Sequence, residues 1–324
     1  MKRSLSVFIL SALLGAAIGP DAAKAAYPEQ PITLVVPFAA GGGVDGVARL
    51  IGKAMSEDLG QPIVVENRPG AGGQVGTSQV ALRAEPDGYT VLIASPGAIT
   101  AGPALFPSLK YDPKRDLAAV GQAVTIPNVV VAHPSFPATN VKELVEIAKS
   151  GKVQVNYGSG GVGTSQHLAG ELLAYNLGIP MRHVPYKGTA PAVVDTISGQ
   201  VQMTFADPSA MVHVREGRLR AIGITTGKRS RALPDLPTLA EQGATGYDAS
   251  NWYGFLVPKT TPQEVIDRLN KAVNYALGRP EVVQALLNMG MDPTPTSPAE
   301  FQAFLDADFA RWSELVKALG LKPE

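Results

Sequence analysis

Three strand-like runs in this chain each end in a glycine-rich turn that opens a helix-like segment. The turns read VPFAAGGGVD (Val36 to Asp45), ENRPGAGGQVGT (Glu66 to Thr77) and NYGSGGVGTSQH (Asn156 to His167). A strand ending in glycines at a helix start leaves several backbone N–H groups unpaired and pointing outward. The helix dipole adds to their attraction for negative charge. None of the three runs carries the lysine that a triphosphate loop requires. The chain therefore reads as built to hold a small anion with main-chain amides, not to do chemistry on it.

The rest of the pattern sets these turns in an α/β frame. Ile32 to Val36 is a short apolar run, and Val47, Leu50, Ile51, Ala54 and Met55 follow helical spacing up to Gly60. Strands are expected at Ile63–Val65, Tyr89–Ala94, Asn128–Ala132, Val153–Tyr157, Met181–Val184, Gln200–Phe205 and Leu219–Ile224, with helices between them. Such alternation implies mostly parallel sheets covered by helices. Two such blocks imply two α/β domains, the second beginning near Val124. The C-terminal part is helical, with Thr261-Pro262-Gln263-Glu264 and Ser297-Pro298-Ala299-Glu300 as cap, proline and capping glutamate. The stretch from Gly227 to Gly254 is long for a loop. It reads as a crossover that returns the chain to the first domain, with Trp252 to Val257 rejoining that sheet. A chain that leaves one domain, builds a second and returns makes a cleft between them.

The N-terminus carries an export signal. Lys2 and Arg3 precede an apolar stretch from Leu5 to Ile18, and Ala23-Lys24-Ala25 supplies small residues at the cleavage positions. The apolar run is short of the ~20 residues a span needs. The chain has no cysteine, hence no lipid-modified cysteine, disulfide, thiolate metal site or cysteine nucleophile. The expectation is a periplasmic protein cleaved near Ala25 and not a lipoprotein. About 299 residues then remain, with 25 basic and 27 acidic side chains once Lys2, Arg3, Lys24 and Asp21 are removed. That balance offers no basic field for nucleic acid or an anionic membrane surface.

Other chemistries meet obstacles at particular residues. Gly158, Gly160 and Gly163 match the spacing of a dinucleotide fingerprint, but no Asp or Glu lies between Glu171 and Asp195 to hold a ribose. Ser165 and His167 sit two apart at a helix start and so point apart, which weakens an exported hydrolase acting on a carboxylated or acyl substrate. Ser159 is the other serine such an enzyme would offer His167. His133, His167, His183 and His213 show no metal-ligand spacing, so neither metal nor cofactor is implied. Asp45 reads as the N-cap of the first helix and as a carboxylate shaping the loop Phe38 to Gly43. Phe38 is core or cleft wall. Arg68 is a surface or domain-locking charge, or a ligand contact.

Taken together, VPFAAGGGVD, VENRPGAGGQVG, PDGYTVLIAS, YGSGGVGTSQHLAGE, HVPYKGTAPAVVD and GRLRAIGITTGKRSRALPDLPTLAEQG resemble the Bug (Bordetella uptake gene) receptors, substrate-binding proteins of tripartite tricarboxylate transporters. The likeness runs from about Tyr27 to Leu319. It implies a two-lobed periplasmic flytrap that holds a small organic carboxylate and hands it to integral membrane subunits, without catalytic residues. A ligand-presenting co-receptor for a sensor kinase is a variant of the same reading. The implied lobes are residues 26–123 with 228–324, and residues 124–227. Residues implied at the ligand are Phe38, Ala39, Ala40, Gly41, Gly42, Asp45, Gly72 and Gly73 from the first lobe. The second lobe is expected to add Ser159, Gly160, Gly163, Thr164, His167, Tyr186, Lys187 and Asp207. The chain is expected to act as a monomer. It departs from the family in carrying Gln74 where Asn is common, and in a segment after Phe205 about one residue shorter.

Overall fold

The fold is that of a computed structural model, which describes residues 27–106 and 109–320; the expected signal segment, residues 1–25, lies outside these. The chain opens with β1 (Ile32–Val36), α1 (Gly43–Leu59), β2 (Ile63–Asn67), α2 (Gln74–Arg83) and β3 (Thr90–Ala94). The short helices α3 (Pro96–Ile99), α4 (Gly102–Leu105) and α5 (Pro113–Asp116) lead into the long β4 (Leu117–Ile126). A second block follows: β5 (Val129–Ala132), α6 (Val141–Ser150), β6 (Asn156–Ser159), α7 (Ser165–Leu177), β7 (Arg182–Pro185), α8 (Thr189–Ile197), β8 (Met203–Ala206), α9 (Met211–Arg215) and β9 (Arg220–Ile224). The chain ends with β10 (Asn251–Pro258), α10 (Gln263–Gly278), α11 (Pro280–Asn288), β11 (Asp292–Pro293) and α12 (Pro298–Leu319).

Two sheets result, six strands in the order β11-β4-β10-β3-β1-β2 and five in the order β7-β6-β8-β5-β9. β1 is parallel to β2 and β3, whereas β10 is antiparallel to β3 and β4, and β11 to β4. In the second sheet β6 is parallel to β7 and β8, and β5 is antiparallel to β8 and β9. Both sheets are therefore mixed: most strands run one way, as expected, and β10 and β11 in the first sheet and β5 in the second run against them. The cause is the crossing of the chain. β4 passes straight into β5 through Pro127 and Asn128, and a strand entered directly from the other sheet must run away from it. β10 is entered the same way on the return. Strands fed by crossover helices run toward the opposite sheet, so the carboxyl ends of β1, β3 and β6 all face the space between the lobes. Those ends are where open α/β sheets bind ligands.

Packing follows the two-residue period of the strands. Ile32, Leu34 and Val36 of β1 pack with Val47, Ile51 and Met55 of α1 and with Leu269 and Val273 of α10. Val35 of β1 faces the other side, toward Phe301 and Leu305 of α12. The second lobe has its own core around Val130, Tyr157, Met203 and Phe205. β4 was not anticipated from the sequence, and it continues through Ile126, a few residues beyond the expected boundary at 123. The two crossings lie side by side. Asn128 N–H donates to Thr225 Oγ1 at 3.0 Å, Thr225 N–H to Asn128 O at 3.0 Å, and Ala249 N–H to Thr225 O at 2.8 Å. The C-terminal helix α12 joins both lobes, with Trp312, Leu315 and Val316 in the second core. Ser297 and Glu300 form the expected capping box on α12. Thr261 does not cap α10, whose N-cap is Pro262.

Candidate functional site

All three glycine turns open helices, but their amides meet different fates. At α1 the N-cap is Gly42, not Asp45, and no side chain caps the first turn. The first helical bond is Gly46 N–H to Gly42 O at 2.9 Å. The N–H groups of Gly43, Val44 and Asp45 thus have no partner among the described residues. Asp45 is the third residue of α1, only 4% exposed, and turned back beneath the loop. It accepts from Gly41 N–H at 2.9 Å, Arg49 Nε at 3.0 Å and Asn67 Nδ2 at 2.9 Å. Asn67 also donates to Phe38 O at 3.1 Å, so the end of β2 clamps the loop after β1. The Arg49 guanidinium is the largest influence holding the Asp45 carboxyl low, at about 2; the Gly41 and Asn67 donors reinforce it against the opposing effect of burial.

The second turn is only partly closed: the N–H groups of Gly70, Ala71 and Gly72 have no partner among the described residues. Gly72 and Gly73 take left-handed backbone (φ 63 and 95), folding residues 71–73 into one 3₁₀ turn. Gly73 N–H reaches Gly70 O at 3.0 Å, Val75 N–H reaches the same oxygen at 3.4 Å, and Gln74 N–H bonds Ala71 O. A Cβ on Gly73 would lie 3.0 Å from the Phe38 ring, which packs there. Arg68 pairs with Glu66 at 2.7 Å.

The third turn is partly closed. Gly161 N–H donates to Ser159 Oγ at 3.1 Å, Gly163 N–H to His167 Nδ1 at 3.1 Å, and Thr164 N–H to Gly161 O at 3.3 Å. Thr164 caps α7 by accepting His167 N–H at 3.3 Å. The amides left without a partner among the described residues are those of Gly160, Val162, Ser165 and Gln166. Beneath the turn lies a buried polar layer that sequence reasoning did not foresee. Ser159 Oγ meets His183 Nε2 at 2.7 Å, the rings of His183 and His167 stack at 4.0 Å, and His167 Nε2 lies 3.8 Å from Glu171. Because His167 Nδ1 accepts an N–H, its proton sits on Nε2. Burial, then the His167 ring, lowers His183 to about 4.

The open amides of α1 and α7 face one cavity of about 790 Å³ between the lobes. Of the anticipated residues, Phe38, Gly42, Gly72, Gly163 and Thr164 line it. Ala39, Ala40, Gly41, Asp45, Gly73, Ser159, Gly160 and His167 lie in or behind the same loops without lining it. Tyr186 donates its hydroxyl to Asp195 at 2.8 Å, and Lys187 is exposed beside it. Asp207 accepts Ser209 N–H at 3.0 Å and caps a short turn. None of these three lines the cavity. The other walls come from Gly43 and Val44, from Ala71 and Gln74, from Ser95, Pro96 and Gly97 after β3, and from Ala101 and Phe106. Val162, Ser165, Gln166 and Leu168 add the second-lobe side. Ser250, Asn251 and Tyr253 arrive with the returning crossover, and Trp312 with α12. Ser95-Pro96-Gly97 was visible as a turn; the last four are set by long-range topology that no local pattern carries. Among the described residues, no Asp, Glu, Lys, Arg or His lines this cavity.

Two α/β lobes joined by a paired crossover, with helix starts from both facing an interlobe cavity, define a solute-binding protein. The comparisons agree. A family model described as "Tripartite tricarboxylate transporter family receptor" matches residues 47–321. Protein BugT of Bordetella pertussis is 35% identical over 98% of this chain and 97% of its own. The solved periplasmic binding protein BugD is 37% identical with a TM-score of 0.71, covering 92% of this chain and 100% of its own. An R. palustris protein with adipate is 35% identical with a TM-score of 0.75, again covering 92% and 100%. The chain belongs to the tripartite tricarboxylate transporter receptor family.

Proposed function

We propose that this chain is a periplasmic receptor that captures a small organic carboxylate between its lobes and delivers it to integral membrane transporter subunits, acting as a monomer and without turnover. The carrying observation is that uncapped amides of α1 and of α7, from opposite lobes, face one cavity containing no cationic side chain. Helix-start amides suit a carboxylate, and hydrogen bonds to an ionised acceptor are about twice as strong as neutral ones. Contacts to α1 and α7 together favour the closed arrangement, because only there does the guest touch both. The relative with adipate binds a molecule of the same class. A hydrolase is disfavoured by geometry. His167 Nδ1 is engaged by Gly163 N–H and its Nε2 faces Glu171, while Ser159 is fully buried against His183.

The test is a thermal-shift panel of organic acids on protein unfolded and refolded to strip copurified ligand. Saturation at about 100 times the dissociation constant is expected to add ~2.7 kcal/mol of stability. No shift with any acid, or steady product formation that stops in Ser165→Ala, would contradict the proposal.

A further inference from the structure

The polar layer under the third glycine turn lies behind the cavity wall, yet it holds the turn. His167 is 5% exposed and Ser159 fully buried. His167 Nδ1 accepts Gly163 N–H at 3.1 Å, and Gly163 has left-handed backbone (φ 77). That bond fixes the turn between Val162 and Ser165, which line the cavity and whose amides are open. The ring is held from three elements. Glu171 of α7 lies 3.8 Å from Nε2, the His183 ring of β7 stacks at 4.0 Å, and the Tyr157 hydroxyl of β6 donates to Glu171 at 2.7 Å. Tyr247 stands behind, its hydroxyl on Ala169 O at 2.9 Å. Burial keeps both tyrosine hydroxyls protonated, so the acid–base chemistry of the layer rests with Glu171 and the two histidines. Rings stacked this closely do not both carry charge. His183 is held neutral by burial and by its neighbour, and it is His167 that faces a carboxylate. With Nε2 already protonated, the next proton enters at His167 Nδ1. An imidazolium has no acceptor. Nδ1–H then meets Gly163 N–H head on, and the turn must move to part the two donors.

From this we infer that His167 is a positioning residue for the second-lobe half of the site, and that the receptor holds its ligand tightly while Nδ1 is unprotonated and loosely once it is protonated. Acidification thus favours release without any titratable side chain touching the ligand. The inference rests on the proposed receptor function and adds a means of regulating it.

The experiment screens adipate, malate, citrate and benzoate on stripped mature protein and titrates the tightest binder by calorimetry at about pH 7.5 and about pH 5. His167→Leu removes the acceptor and is expected to weaken binding at least tenfold at the higher pH. His167→Asn places an amide oxygen near the position of Nδ1 and does not titrate; it is expected to restore most of that affinity. Between the two pH values the parent is expected to weaken at least tenfold more than His167→Asn, a ratio in which the ligand's own protonation cancels. In buffers of different ionisation enthalpy, binding to the parent at the lower pH is expected to release about one proton more than binding to His167→Asn. Far-UV circular dichroism checks each fold, and if His167→Leu does not fold, the parent and His167→Asn decide the matter. Matching pH profiles for parent and His167→Asn, or full affinity in folded His167→Leu, would overturn the inference and leave the receptor function standing. No binding of any of the four acids to the parent at about pH 7.5 would overturn both.

Discussion

Asp45 illustrates how much one side chain in this fold does away from any ligand. Its carboxylate gathers three donors from three segments: the loop itself, α1 and the end of β2. Its folded pKa is depressed, so the stability it confers is full above the unfolded value near 3.9 and is lost as pH falls through about 2. Asp45→Ala is expected to cost about 1.5–3 kcal/mol at pH 7 by urea unfolding. The gap between variant and parent should close as pH falls from about 4 toward 2; a gap independent of pH would show that the charge is not what holds the loop. At this scale the sequence was informative about position and less so about role. A carboxylate after a glycine run looks like an N-cap, yet a helix that starts at Gly43 makes Asp45 its third residue. Gly163 and Thr164 were legible as loop residues. That their amides would be taken by His167 and Gly161 depends on rotamers and on stacking against His183.

At the scale of elements, the strands and helices next to glycine turns were legible because periodicity and punctuation coincide there, as in β1, α2 and α7. β4 was not. Its run LAAVGQAVTI mixes alanine, glycine and glutamine with valine, and only burial on both faces between β10 and β11 makes it a strand. The span of α12 was legible from its cap, but its role as a tie between lobes was not. Its midpoint is Asp308, fully buried. Thr100 Oγ1 donates to this carboxylate at 2.6 Å and Trp252 Nε1 at 3.1 Å, and Arg311 pairs with it. A buried charge held this way is costly to disrupt from one side, because its partner is left uncompensated. Asp308→Ala is expected to destabilise the protein by about 3–5 kcal/mol, read from the urea midpoint. A loss under about 1 kcal/mol would mean that apolar packing alone seats the helix.

The whole molecule is organised by the crossing of the chain between sheets. Residues distant in sequence, Phe38, Ser95, Val162, Asn251 and Trp312, come to one cavity because β1, β3 and β6 end there and β10 begins there. The recurrence of glycine turns announced that such a place existed. The identity of its walls required the fold, since Ser250 to Tyr253 and Trp312 reach it only through the return crossing and α12. The central claim is that main-chain donors from both lobes hold one carboxylate. Ser165→Pro tests it without changing any charge. Ser165 is the first residue of α7, where proline is compatible with the helix, and Thr164 before it is already extended (φ −70, ψ 159). The substitution removes one open amide and leaves the fold in place. Calorimetric titration of this variant with the tightest-binding acid is expected to show affinity reduced about 10- to 100-fold, the equivalent of one hydrogen bond to a charged group, with an unchanged urea midpoint. Unchanged affinity would contradict the account.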